Sequence, residues 1–402
     1  MKKTIILLLA ALCLTGCDYW FGCDEKERQV LLVFFLGNNS LSEEGMWDLE
    51  DIKSSYLPTE KDEDKILLVF SHFVDKTPVL KRLYADSRGI PVEEVLQEYP
   101  FNFNSATEQA LSTVLQDAEH AYPADKRGII LWSHASGFLP QGYYANPKES
   151  IARRGDLFET TGQEETDPYA HLVKSDVKSF AEDHGSEIEI PALHDALAPY
   201  HFDFVLFDCC LMANVEVAYE LQDCCDYLLF SPTEIISDGL PYKTMVEPIF
   251  TMSPENAMVT IAQNYMSYYR AQSGIYRSAT ISLVKTQALG ALADACRPVF
   301  QNHRDQIFTL DRSKVQPYFR FNKHWYYDID DFVGQVASDG EYQAFRKALD
   351  EAVIFKDATE QFISIDITHY SGLSIYIPRA DYTALNNYYK TLQWNKATGL
   401  IQ

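Results

Sequence analysis

The chain has 402 residues, a net charge of −24 and eight cysteines. That length suits one large domain or two smaller ones, and the acidity argues against nucleic acid as a partner. The cysteines are too few for a disulfide scaffold, and Cys23, Cys224, Cys225 and Cys296 lack the two-plus-two spacing of a structural zinc site.

Lys2 and Lys3 precede a short apolar core from Ile5 to Leu12, too short to span a bilayer. Leu14-Thr15-Gly16-Cys17 then has the form of a bacterial lipobox, which predicts cleavage before Cys17 and acylation of that cysteine. Residues 18–28 read as a tether, 29–285 as the main domain and 286–402 as a C-terminal α+β subdomain. The apolar runs at 30–36 and 65–71 predict buried strands, with a helix over 41–52 between them and an edge strand at 79–84. Ser105-Ala106-Thr107-Glu108 has the pattern of a capping box, and Ala110, Leu111, Val114, Leu115 and Ala118 give the apolar face of the helix that follows. A third buried strand, 127–133, ends at His134-Ala135-Ser136-Gly137. Residues 143–185 show no period, and a short helix follows at 191–198. The run Phe204-Val205-Leu206-Phe207 predicts a strand that turns at Asp208-Cys209-Cys210 into a helix beginning at Leu211. Further strands are expected at 227–231 and 276–284, and helices at 254–271, 286–302 and 382–392. The aromatic group Phe319, Phe321, Trp325, Tyr326, Tyr327 and Phe332 reads as packing, and 362–367 with 373–377 as a closing hairpin. Strands alternating with helices predict a mostly parallel sheet covered on both faces.

Two of these strand ends carry chemistry. Open α/β sheets place their sites at the carboxyl ends of strands. Cys210 stands at one such end, and the predicted helix start would favour its thiolate. Side-chain alternation puts Asp208 and Cys210 on one side and Cys209 on the other. On that segment alone, two buried structural cysteines are an equal reading. His134, at the end of a neighbouring strand, makes a Cys–His pair the stronger one.

Leu131-Trp132-Ser133-His134, Phe207-Asp208-Cys209-Cys210-Leu211-Met212 and Val215-Glu216-Val217-Ala218-Tyr219-Glu220 resemble the clostripain family of cysteine peptidases. Gly37-Asn38-Asn39-Ser40-Leu41, Ser231-Pro232-Thr233-Glu234, Gly239-Leu240-Pro241-Tyr242 and residues 371–378 extend the resemblance over nearly all of the mature chain. It implies a caspase-like three-layer α/β sandwich and endopeptidase activity on peptides or proteins. Cys210 would be the nucleophile and His134 its partner, with the N–H groups of Cys210 and Ala135 as oxyanion donors. Asp208 and Asp238 would receive a basic side chain, arginine ahead of lysine. Lys148, Arg153 and Arg154 would be sites of processing between the catalytic strands. Two positions depart from the family: Ala135 stands where glycine is usual, and Cys209 where alanine is usual. The remaining expectations are a monomer held at the bacterial cell envelope by lipid on Cys17, with no cofactor. Asp328, Asp330 and Asp331 leave calcium open, since the loop lacks the glycine and terminal glutamate of a calcium hand. Two other readings stand beside the peptidase: a silent lipoprotein binding peptide or glycan at the same cleft, and a thiol–disulfide enzyme using vicinal Cys209 and Cys210.

Overall fold

The computed structural model describes residues 27–143, 169, 172–173, 180–183, 185–320 and 325–402. Cys17, Lys148, Arg153 and Arg154 lie outside the described residues. The chain runs β1 (Gln29–Gly37), α1 (Ser42–Lys53), β2 (Lys65–Phe73), β3 (Val79–Ala85), β4 (Pro91–Glu98), α2 (Glu108–Ala121) and β5 (Lys126–Trp132). A hairpin of β6 (Phe180–Asp183) and β7 (Ser186–Ile188) leads to α3 (Ile190–Leu197), β8 (Phe202–Asp208), α4 (Val215–Glu220) and β9 (Cys225–Phe230). Next come α5 (Val246–Thr251), α6 (Pro254–Arg270), β10 (Thr280–Lys285), α7 (Leu289–Asn302), α8 (Arg304–Thr309), β11 (Tyr327–Asp328), α9 (Ile329–Val336) and α10 (Asp339–Ala352). The chain ends with β12 (Val353–Ala358), β13 (Gln361–Phe362), β14 (Ile365–Asp366), β15 (Ser374–Ile375), α11 (Thr383–Tyr389) and α12 (Gln393–Thr398).

Nine strands form one sheet in the order β12-β10-β9-β8-β5-β1-β2-β3-β4. The five central strands, β9 to β2 in that order, are parallel, and antiparallel pairs close both margins. Strands buried on both faces need apolar side chains on both, and Val30 through Leu36 are all buried. Val30 and Leu32 meet Leu115, Ala118 and Tyr122 on the α2 side. Phe35 packs on Trp132 and Tyr242 on the other side, where the Trp132 indole N–H donates to Asp48 of α1 at 2.8 Å. The result is three layers, with α1, α5 and α6 on one face and α2, α3, α4, α12, α7 and α10 in a row on the other. Strand spacing inside the sheet is tight at Gly128, where a Cβ would lie 2.2 Å from the Phe204 ring.

The margins hold what periodicity did not give. β4 is largely exposed and carries Glu93, Glu94 and Glu98, a composition that reads as loop but blunts a sheet edge against a further strand. β12 closes the opposite edge, so residues 286–402 return to the same sheet. The expected terminal hairpin is two separate pairings, β13 with β14 and β11 with β15. The cap of α2 is Thr107, which accepts the Ala110 N–H at 3.1 Å, and Ser105 is engaged elsewhere. β1 leads outward to β2 on one side, and β5 to β8 on the other. The crevice at that switch point opens between the loops after β1 and β5.

Candidate active site

β8 delivers Asp208, Cys209 and Cys210 to the carboxyl edge of the sheet. Cys209 Sγ donates to the Leu131 carbonyl of β5 at 3.1 Å. Cys210 Sγ turns the other way and accepts the Ile235 N–H at 3.2 Å, as the expected alternation requires. Leu211 takes a left-handed φ of 61°, and its N–H reaches Thr233 O at 2.9 Å, while the Ala213 N–H reaches Ser231 O at 2.9 Å. The turn after the thiol is therefore pinned along residues 231–235. The helix begins only at Val215, not at Leu211, because Asn214 intervenes as its N-cap, accepting from Val217 N at 3.2 Å and donating to Leu211 O at 2.7 Å. Cys210 thus gains no helix N-terminus; its sulfur meets the Ile235 N–H at 3.2 Å and the Ile235 carbonyl at 3.8 Å.

His134 follows β5, and its Nε2 lies 2.9 Å from Ser40 Oγ in the loop after β1. Its carbonyl accepts the Ala181 N–H at 3.0 Å from the β6–β7 hairpin. That hairpin carries a fully buried Asp183, which accepts from Asn38 Nδ2 at 2.8 Å and from Ser105 N and Oγ at 2.7 and 3.0 Å, with His72 Nδ1 at 3.3 Å. Asn39 adds a bond to Glu182 O at 3.0 Å. One hairpin therefore holds both walls of the crevice. Gly137, with a φ of 63°, brings the histidine turn onto the cysteine turn: a Cβ there would sit 2.3 Å from Asn214 Nδ2 and 2.6 Å from Leu211 O. Ala135 keeps a negative φ, so its side chain meets no conformational penalty at that position.

Asp208 is buried, with its Oδ2 3.2 Å from the Tyr242 hydroxyl and 3.5 Å from Leu240 N. Asp238 is exposed and accepts the Tyr268 hydroxyl at 3.0 Å, and the Tyr269 hydroxyl donates to Gly239 O at 2.8 Å. Both acids face the tyrosines of α6, Asp208 from within and Asp238 from the rim. Burial, and after it the Asp208 charge, holds the Tyr242 and Tyr265 phenols protonated. The same loop carries Glu234, which receives a two-point bond from Arg320 at 2.6 and 3.0 Å, both side chains only 1% exposed. The C-terminal segment reaches the cysteine turn as well. Ser374 N donates to Ala213 O at 2.9 Å, and Tyr376 N and the Tyr389 hydroxyl donate to Glu216 at 2.9 and 2.6 Å. Tyr326 donates to Ser136 O beside the histidine.

His134 and Cys210 are both buried, at 1% and 0% exposure, so the site is closed. Val173 bridges Ile236, and Ser237 N donates to Leu172 O at 2.9 Å, laying Leu172 and Val173 along the loop after β9. The Asp328, Asp330 and Asp331 carboxylates meet protein donors. Asp328 accepts from Asp330 N, Asp331 N and Ser371 N at 2.9, 3.0 and 2.6 Å. Asp330 faces Arg346 and His369 at 2.9 and 2.8 Å, and Asp331 accepts Gln316 N at 2.7 Å. Sequence reasoning missed Ser40 as the histidine's neighbour, Asp183, Ile235 and Arg320. Ser40 lay in a quoted motif, whereas Asp183 and Arg320 act across long sequence separations and leave no local pattern.

A thiol with an amide donor, an imidazole on the adjacent strand end and a buried acid below them is equipment for acyl transfer. No curated protein matches the chain. The model of the clostripain family matches residues 33–151 and 167–399. An inactive zymogen C11 protease from Parabacteroides distasonis is 31% identical with a TM-score of 0.75, over 92% of this chain and 98% of that one. A secreted C11 cysteine protease from Bacteroides thetaiotaomicron, solved with an irreversible peptide inhibitor, is 27% identical with a TM-score of 0.74, over 92% and 99%. A B. fragilis cysteine protease is 34% identical with a TM-score of 0.51, over 55% of this chain and 96% of that one. With its strand-end cysteine and histidine on the same sheet edge, and its family match running across both, the chain belongs to the clostripain family and is a cysteine peptidase.

Proposed function

We propose that the enzyme is an endopeptidase that cleaves after basic residues, arginine ahead of lysine, through a Cys210–His134 dyad. The observation that carries the specificity is the Asp208 carboxylate, buried two residues before the nucleophile and facing the same loop as the thiol. A buried carboxylate binds guanidinium with strong directional bonds and opposes an apolar side chain that would leave it unpaired. Asp238 at the rim is a second acid for the same side chain.

In this reading Cys210 gives its proton to His134, and the thiolate forms a bond to the scissile carbonyl carbon. The N–H groups of Cys210 and Ala135 hold the oxyanion, each donor contributing about 3 kcal/mol. Collapse of the intermediate breaks the C–N bond, and the leaving amine takes the proton from His134. Water, deprotonated by His134, then hydrolyses the thioester and restores the thiol. Ser40 fixes the imidazole from the opposite wall. Peptides or proteins are the substrates, the protein acts as a monomer without a cofactor, and the Asp328 group serves as a helix cap. Lipid on Cys17 would hold it at the bacterial cell envelope. Among the described residues no helix is long and apolar enough to cross a membrane. A cut after Lys148, Arg153 or Arg154 would release the Leu172–Val173 segment from the loop after β9. The buried dyad and the similarity to an inactive zymogen support that step.

The test is a panel of peptides varied at the residue before the scissile bond, read by mass spectrometry. Products should end in arginine, with fewer in lysine, and Asp208→Asn should lower kcat/KM on the arginine peptide by at least about tenfold. Fast cleavage after leucine or aspartate with none after arginine would overturn the assignment. On a denaturing gel the wild-type chain should yield two fragments and Cys210→Ala none.

A further inference from the structure

We propose that His194, Asp223 and Cys224 form a binding site for a divalent transition-metal ion of the zinc class, at the sheet edge opposite the dyad. His194 lies on α3, and Asp223 and Cys224 form the turn into β9. The Cys224 carbonyl accepts the Phe202 N–H at 2.7 Å at the start of β8, which fixes the cluster at the amino ends of two parallel strands.

The ligand atoms already stand at coordination spacing. His194 Nε2 is 3.1 Å and Cys224 Sγ 3.9 Å from Asp223 Oδ1, and all three atoms lie within 4.8 Å of one another. Zinc bonds of about 2.0–2.3 Å at tetrahedral angles require edges of about 3.3 Å between N and O and about 3.6 Å between O and S. Two edges therefore need only a few tenths of an ångström, and the third closes by about 1.3 Å at most. The histidine is also oriented as a ligand: its Nδ1 is held by Asp195 Oδ1 at 2.9 Å, which leaves Nε2 for the ion. Imidazole, thiolate and carboxylate together suit zinc or cobalt better than calcium or magnesium.

The surroundings are anionic. Burial first, and after it the Asp223, Asp195 and Glu220 charges, push the Cys224 thiol up to about 12, and the nearby His201 is already paired with Asp226 at 3.5 Å. The Asp328–Asp330–His369 group differs on this point, because the Arg346 guanidinium stands 2.9 Å from Asp330 and takes the place a cation would need. The Asp223 side chain is 68% exposed, so the fourth position opens to water. Binding displaces the protons on Cys224 Sγ and His194 Nε2 and ties α3 to the entry of β9.

The experiment uses the full chain carrying Cys210→Ala, so that the dyad cannot take the metal. Metal-stripped protein is titrated with Co²⁺ and then with Zn²⁺. One equivalent of Co²⁺ should give a thiolate-to-cobalt charge-transfer band and the intense visible bands of tetrahedral cobalt. Zn²⁺ should abolish both and raise the Tm. Cys224→Ser should lose the charge-transfer band, and Asp195→Asn should weaken binding about 10–100-fold. Absence of the band, or a band that persists in Cys224→Ser, would overturn the site. Activity does not enter the readout, so the outcome is separate from the specificity proposed above.

Discussion

Cys209 and Cys210 share one turn, yet one sulfur donates to a strand carbonyl and the other accepts the Ile235 amide. Cys210→Ala and His134→Ala should each lower turnover by at least about a thousandfold with an unchanged far-ultraviolet spectrum. Cys209→Ala should keep its turnover and lose about 1 kcal/mol of stability in a urea titration, the worth of one buried hydrogen bond. Gly137→Ala tests how closely the two turns must approach. Its left-handed φ and the 2.3 Å approach to Asn214 give strain of about 1–3 kcal/mol or more, so both Tm and turnover should fall. At this scale the strand-end places of Cys210 and His134 were legible because each residue follows an apolar run. The donor to Cys210 was not, because a backbone amide on another loop leaves no mark in residue type.

Among the elements, the loop after β9 controls the thiol and is itself controlled by Arg320. Arg320→Met leaves Glu234 buried without its partner and should cost about 3–5 kcal/mol, measured by denaturant unfolding. The double variant Glu234→Leu with Arg320→Met should recover much of that loss, since the uncompensated charge is gone. α4 carries a second buried acid: burial raises Glu216 from its ordinary 4.5 to about 7, against the lowering by Tyr389 and Tyr376. The folded state then holds a proton that the unfolded chain releases near 4.5. Stability from this group is full below that pH and falls as pH rises to about 7, by up to ~3 kcal/mol. Glu216→Gln should flatten that slope in a Tm series across the interval. The central strands were legible from their continuous apolar runs and α2 from its period, whereas the 14-residue α10 was not anticipated. The start of α4 was not, because Leu211 to Ala213 are apolar enough to mimic a helical turn while their amides pair with the neighbouring loop.

For the whole molecule, the mostly parallel sheet followed from alternating strands and helices, whereas the reach of the C-terminal third did not. Its contacts to Ala213, Ser136, Glu216 and Glu234 make it part of the site's frame. A chain ending at residue 370 keeps the dyad but loses Ser374, Tyr376 and Tyr389. It should show no turnover, and Cys210 should react with iodoacetamide faster than in the complete protein. The same wiring sets a clock on synthesis. Glu216 leaves the ribosome 173 residues ahead of the Tyr389 that steadies it. At about 5–20 residues per second, roughly 9–35 s pass before the nucleophile turn can acquire its buttress. A nascent peptidase would thus stay harmless to its own unfinished chain, and to the machinery that makes it, until the last helices emerge.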